Sequence, residues 1–300
     1  MTPPDFAPVP VPRYRPVDVL TLLYTALVFL ALAIQGSHLE DRTEFMAVFL
    51  GAFLLVRIAV PVARRSRRPL LRFLAEVYPL VLLTFFYVYS NRMNTLVFPQ
   101  SFDAFFRELD RRMFGGEPSF WLAHTFGSPL VHEIVHALYA TYYIQIPAVA
   151  LVYYFTRRAH GQYQRMIFTL CLTFYASYLV FVALPVHGPH SLRGDDYAGG
   201  WLFVPMMDFI YRTAETDGGA FPSSHVAVSL VCLLFSWRHS RGLFAAGLVS
   251  FLGITLATVY CRYHYAVDSL AGIAWGVLGY AAGVSLFDRL PAAWRGTDTA

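Results

Sequence analysis

The chain has 300 residues, of which 57% are hydrophobic, 17% aromatic and only 14% charged. Soluble domains carry roughly 25% charged residues, so this deficit excludes an ordinary water-soluble domain and points to one integral membrane domain. The net charge of +4 rests on 23 basic residues that are all arginine; they cluster between apolar runs, which speaks for membrane orientation rather than a nucleic-acid surface.

In chain order, residues 1–16 are Pro-rich and carry Arg13 and Arg15, which reads as an N-terminal tail, disordered or lying on the membrane surface. The first apolar run, Val17 to Gln35, is long enough to cross a bilayer; no small-residue cleavage site clearly follows it, so it reads as an anchor. Further spans are predicted at about Phe45 to Val62, Leu71 to Ser90, Leu130 to Thr156, Tyr163 to Val186, Pro222 to Trp237, Leu243 to Tyr260 and Tyr265 to Phe287. The expectation is an all-α polytopic membrane protein with about eight transmembrane helices.

The arginines orient these spans. Arg13 and Arg15, the group from Arg64 to Arg72, then Arg157, Arg158 and Arg165, then Arg238 and Arg241, then Arg289 and Arg295 occupy the termini and every second loop. These segments are cytoplasmic by the positive-inside rule. The remaining loops, about 36–44, 91–129, 187–221 and 261–264, face the other side. The first long one contains Phe98 to Phe114, where Phe102, Phe105, Phe106, Leu109 and Met113 recur at helical spacing against charged residues. This predicts an amphipathic helix in the interface, capping the bundle or lining a lipid entrance. Cys171, Cys232 and Cys261 lie in or beside apolar segments without metal-ligand spacing, so neither a disulfide framework nor a zinc ribbon is indicated.

Two outer stretches concentrate the chemistry. Cys261-Arg262-Tyr263-His264-Tyr265-Ala266-Val267-Asp268 places Arg, His and Asp at the membrane edge, where each is costly unless partnered or working. With a helix beginning near His264, Asp268 lies one turn along the same face and holds one imidazole nitrogen, freeing the other as nucleophile or base. Arg262 suits a nearby phosphate or carboxylate. The second stretch, Asp217-Gly218-Gly219-Ala220-Phe221-Pro222-Ser223-Ser224-His225, leads into an apolar run. Its glycines permit close backbone approach, and a helix starting at Pro222 or Ser223 aims free amides outward as an anion site.

A third motif, His132-Glu133-Ile134-Val135-His136, has the HExxH spacing of zinc proteases. Such intramembrane enzymes need a third ligand, usually an Asp after Asn-Pro, and neither Asn91 nor Asn94 precedes a proline. The other readings of His132, Glu133, His136 and the nearby Tyr142 are contact with a polar head group or acceptor, and helix packing.

The stretches FPSSHVAVS at 221–229 and CRYHYAVD at 261–268 resemble the second and third signature motifs of the type-2 phosphatidic acid phosphatase superfamily. The spacing of Arg262, His264 and Asp268 is most similar to the branch that includes inositol phosphorylceramide synthases, which are inositolphosphotransferases. The resemblance runs from about Asn91 to Phe287. It implies a six-helix phosphatase-type core in which His264 attacks phosphorus, Asp268 orients and charges it, and His225 protonates the leaving oxygen. Arg262, Ser223, Ser224 and the backbone around Gly219 would hold the phosphoryl oxygens. The family's first motif carries a lysine, absent here; His190 or Arg193, after Gly188-Pro189, would take part of that role. The usual Ser or Thr before the arginine is Cys261.

The organisation expected is thus a tail at 1–16, accessory transmembrane helices at 17–90, a phosphatase or phosphotransferase-like core at 91–290 and a C-terminal tail at 291–300. The expected activity is metal-independent, needs no cofactor and passes through a phosphohistidine at the extracytoplasmic face of a bacterial cell membrane. It acts on a phospholipid or lipid phosphate, with an alcohol or lipid as acceptor. The alternative is hydrolysis of phosphatidate or a polyprenyl (di)phosphate, and a transporter is a third reading. A bell-shaped pH profile is expected, because His264 must be neutral to attack and His225 protonated to donate.

Overall fold

A computed structural model describes residues 13–156, 160–194, 196–214 and 218–295. Arg157, Arg158 and Asp217, most of the N-terminal tail and the last five residues lie outside the described residues. Among the described residues the secondary structure is helical. Seven helices are long and apolar enough to cross a membrane: Pro16–His38, Arg42–Arg64, Pro69–Arg92, Pro129–Phe155, Gly161–Ala183, Arg241–Tyr260 and Ala266–Arg289. The eighth predicted span, Pro222 to Trp237, is the helix Ser224–His239, whose 16 residues extend about 24 Å. It is shorter than a lipid-exposed span because it stands inside the bundle.

The helices are α1 (Pro16–Gln35), α2 (Arg42–Leu54) running through a π-turn into α3 (Val60–Arg64), α4 (Pro69–Arg92), α5 (Asp103–Phe114), α6 (Pro118–Thr125), α7 (Pro129–Phe155), α8 (His160–Ala183), α9 (Phe203–Ala214), α10 (Ser224–His239), α11 (Arg241–Tyr260), α12 (Ala266–Arg289) and the short α13 (Ala292–Arg295). α10 is enclosed by α7, α8, α11 and α12. The first four helices, α1 to α4, share one apolar core with α8 and α10, in which Tyr24, Phe49, Phe86 and Tyr178 interlock.

Lipid supplies little hydrophobic drive between helices, so close backbone contact matters more than in water. α12 provides it through glycine. A Cβ on Gly272 would lie 2.6 Å from the Ser223 carbonyl oxygen, and one on Gly276 would lie 2.6 Å from that of Ala227. On another face, Gly279 and Gly283 abut Thr173 and Thr169 of α8. α12 is thereby pressed between α8 and α10.

At the opposite end of the bundle from the two motifs, Asp18 is fully buried. It takes two hydrogen bonds from Arg64, at 2.6 and 3.1 Å, and one from the Tyr78 hydroxyl at 2.8 Å. Glu76 pairs with Arg15 and accepts from Gln164 at 3.1 Å. This network ties α1, α3, α4 and α8 together.

The amphipathic helix α5 forms within its predicted segment and acts as a clamp. The Asp103 carboxylate accepts from the amides of His187 (2.9 Å) and Gly188 (2.8 Å) and from the Tyr265 hydroxyl (3.1 Å). Asp110, on the same face, accepts from the amides of Ala266 and Val267, both at 2.9 Å, and so caps α12. Two outer segments, α6 and α9, are helices that the hydropathy pattern alone did not mark.

Candidate active site

The two histidine motifs meet at one end of the bundle. The Ser223 amide donates to the Asp268 carbonyl at 3.1 Å, and the rings of His225 and His264 are 5.7 Å apart between centroids. Both line a cavity of about 200 Å³, with Gly218, Gly219 and Ala220 on one side and His190, Tyr211, Arg212 and Tyr263 on the other. Gly188 makes the fold possible here: it has φ +83°, and a Cβ would lie 2.6 Å from the Tyr263 carbonyl oxygen.

A helix begins near His264, as the spacing predicts. α12 starts two residues later at Ala266, with Tyr265 as its cap, because the Asp268 carboxylate reaches back to the Tyr265 amide at 2.9 Å. His264 Nδ1 lies 2.8 Å from the Ala220 carbonyl oxygen and 3.7 Å from Asp268 Oδ2. A carbonyl only accepts, so this contact puts the proton on Nδ1 and leaves the Nε2 lone pair available. Asp268 is fully buried, and its Oδ1 has no hydrogen-bond partner among the described residues.

His225 stands in an aromatic cage, with ring centroids 4.3 Å from Tyr142, 5.4 Å from Tyr139 and 6.1 Å from Tyr87. Its Nδ1 is buried without a partner among the described residues, as is the Ser224 hydroxyl. Ser223 is the α10 cap: its hydroxyl accepts from the Val226 amide at 3.4 Å.

Arg262 is not brought to this cavity. Its backbone is left-handed, φ +58°, in the turn that ends α11, where the Tyr263 and His264 amides both bond the Thr258 carbonyl. That turn sends the guanidinium the other way, to the Leu192 carbonyl at 2.6 Å, to Asp196, and over the Phe120 ring at 3.7 Å. The side chain that resembles a phosphate ligand in sequence is a fastener for the 187–202 loop. The cation that does line the cavity is Arg212, exposed near the end of α9. Sequence reasoning missed it, although Phe203, Met207 and Ile210 against Asp208 and Arg212 carry a helical period.

Arg193 lies one layer further out. It bonds Asp208 at 3.0 Å and His136 Nε2 at 2.9 Å, and sits over the Tyr197 ring at 4.5 Å. It lines a second chamber of about 390 Å³ that shares His190, Tyr211 and Arg212 with the histidine cavity. Tyr211 is the wall between them, stacked on Tyr263 at 4.2 Å and on His190 at 4.5 Å.

The HExxH residues are engaged in packing. Glu133 accepts from the amides of Trp201, Leu202, Phe203 and Val204 at 2.6 to 3.3 Å and so caps α9. His132 bonds the Tyr260 hydroxyl at 2.8 Å, and His136 Nδ1 bonds the His132 carbonyl at 2.7 Å. None of the three lines the histidine cavity, and a Glu133 carboxylate holding four amides is not free to act as a general base. The site they brace depends on them indirectly, because α9 carries Asp208, Tyr211 and Arg212.

Burial also sets the charge of two groups beside the site. It pushes the Cys261 thiol up, so Cys261 stays neutral 3.6 Å from His136 Nδ1. It likewise raises the Asp110 carboxyl, although the Ala266 and Val267 amides work the other way.

A family model described as "PAP2 superfamily" matches residues 105–282, more than half of the chain. A PA-phosphatase related-family protein of Dictyostelium discoideum is 34% identical over 84 residues, which is 28% of this chain and 14% of that protein. The chain thus spans about 14% of the length of that curated relative. No solved structure matches.

Proposed function

Because the chain belongs to the PAP2 superfamily, we propose that it moves a phosphoryl-containing group from a lipid through a covalent intermediate on His264, at the extracytoplasmic face. The observation that carries this reading is the pair of rings on one cavity: His264 with Nδ1 committed to Ala220, and His225 with its centroid 5.7 Å away. His264 Nε2 attacks phosphorus, the bond from phosphorus to the lipid oxygen breaks, and His225 gives its proton to that oxygen. Asp268, 3.7 Å from Nδ1, stabilises the positive ring that results. Arg212 and the backbone around Gly219 hold the phosphoryl oxygens, since phosphoryl transfer asks chiefly for positioning and positive charge. In the second half-reaction the acceptor loses its proton to His225 and takes the group from His264.

The acceptor is an alcohol or water. The outer chamber favours an alcohol, in keeping with the inositolphosphotransferase-like spacing of the motif: Asp208, Tyr211, Arg193 and Arg212 offer donors and acceptors for a polyol, and the chamber shares three walls with the histidine cavity. Hydrolysis uses the same residues with water in that place. The extracytoplasmic assignment rests on the positive-inside pattern of the arginines along the sequence, the group from Arg64 to Arg72 above all.

The test is a trapping experiment with lipid phosphate labelled in phosphorus. The expected result is an acid-labile, base-stable phosphoprotein that is lost in His264→Ala. Label that persists in His264→Ala overturns the assignment. Product analysis with and without added polyol then separates transfer from hydrolysis.

A further inference from the structure

A groove of about 810 Å³ opens on the lipid side of the bundle between α4 and α7, which both rest on α8. Its walls are apolar: Val81, Thr84 and Phe85 come from α4, and Ile146 and Pro147 from α7. Val81 is 67% exposed and Phe85 40%, so nothing among the described residues covers it. Its inner end is His225 with Tyr87, and these same two residues line the histidine cavity. The groove and the cavity therefore meet at one imidazole.

We infer that this groove holds the hydrocarbon chain of the lipid whose oxygen leaves at His225. The inference rests on the proposed function and adds where the lipid lies. In that reaction His225 protonates the oxygen that stays with the lipid, so the carbon skeleton attached to that oxygen must extend from His225 away from phosphorus. The way out from His225 that is lined by hydrocarbon is the α4–α7 groove; the outer chamber, with Arg193, Asp208 and Arg212, suits the polar partner instead. The volume lies within the range that buries most of a ligand, roughly 300–1,000 Å³. One wall, α4 at Pro69–Arg92, lies outside the segment matched by the family, 105–282. Chain preference is therefore set in part by a helix outside the matched segment.

The experiment uses the full chain in detergent with two probes. The first is a phosphatidate bearing a diazirine at the end of one acyl chain. Photolabel is expected on α4 between residues 80 and 89, on α7 between 142 and 147 or on α8 at Phe174 and Tyr178, and Thr84→Trp is expected to suppress it. The second is turnover of dioleoyl and of dibutyryl phosphatidate. Thr84→Trp is expected to lower kcat/KM for the long-chain ester about tenfold or more and to leave the short-chain ester within about twofold, a difference of the size that apolar pockets give. The short-chain rate also reports that the variant is folded. Label on helices of the wild-type protein that do not line the groove, or an equal effect on both esters, overturns the groove. Groove labelling without turnover supports the chain site and rejects the proposed reaction; turnover with label elsewhere does the reverse.

Discussion

The Nδ1 of His264 lies 2.8 Å from the carbonyl oxygen of Ala220, nearer than any oxygen of Asp268. The backbone of the FPSSH loop, rather than the carboxylate, fixes the tautomer. Asp268→Asn keeps that contact and loses the negative charge beside the ring. We expect kcat to fall about 10²-fold in this variant, at the low end for a group assisting proton or charge transfer, while His264→Ala removes turnover. Steady-state rates on a soluble lipid phosphate check both; equal loss in the two variants would mean that the charge, not the tautomer, governs the ring.

Arg212 and Arg262 are expected to exchange the roles that their positions in sequence suggest. Arg212→Ala should lower kcat/KM about 10²- to 10³-fold, the usual cost of losing one preorganised donor at a charged transition state. Arg262→Ala should keep kcat/KM within about threefold and lower the melting temperature, because Arg262 fastens Leu192 and Asp196. Thermal unfolding run beside kinetics distinguishes them.

Gly276 tests the approach of α12 to α10. A methyl group there meets the Ala227 carbonyl oxygen at 2.6 Å, a backbone atom that cannot swing aside. Gly276→Ala should cost about 1–3 kcal/mol, as overpacking does, and reduce turnover by parting the two histidines. Gly242→Ala, with open space around the new methyl, is the control and should be neutral to stabilising by about 0.4–1 kcal/mol.

Asp18→Ala takes both short hydrogen bonds from the buried Arg64, which keeps Glu76 at 3.6 Å and the Ala75 carbonyl at 3.2 Å. A loss of about 3–5 kcal/mol is expected, as when one member of a buried pair is removed, measured by unfolding in detergent. The site itself is at the other end of the bundle, so the folded fraction should keep its kcat.

Acid should loosen the α5–α6 cap through Glu117. Burial resists charge on this carboxyl, but hydrogen bonds from Arg107 and Arg111 outweigh it and hold its pKa below the ordinary 4.5. A group whose folded pKa is depressed stabilises the fold above its unfolded pKa and loses that contribution as pH falls through the folded value. Asp110, raised from 3.8, acts with the opposite sign. Melting temperatures from pH 7 to pH 3 should therefore fall more for wild type than for Glu117→Gln, and the difference between them isolates Glu117.

The fold class and the crossings were legible because hydropathy and arginine placement act over whole helices. What escaped the sequence was local. α9 is a short helix in a loop with glycine and proline around it, and its start is set by Glu133, some seventy residues away. Arg262 finds a carboxylate, Asp196, as its residue type suggests, but that it points away from the histidine cavity depends on a left-handed backbone that its neighbours do not announce. HExxH spells a metal motif, yet each side chain is engaged by partners distant in sequence: Tyr260, the amides from Trp201 to Val204, and Arg193. The meeting of His225 with His264 was foreseeable as a shared membrane depth; the Ala220 contact that orients the second ring was not.

α12 touches α8 and α10 through glycines on two of its faces. The segment bearing His264 is consequently held against its neighbours backbone to backbone, and the width of the histidine cavity is tied to that packing. A descendant of this chain that had to accommodate a bulkier molecule would need to yield elsewhere, and α4, outside the matched segment and exposed along Val81 and Phe85, is where the architecture leaves slack.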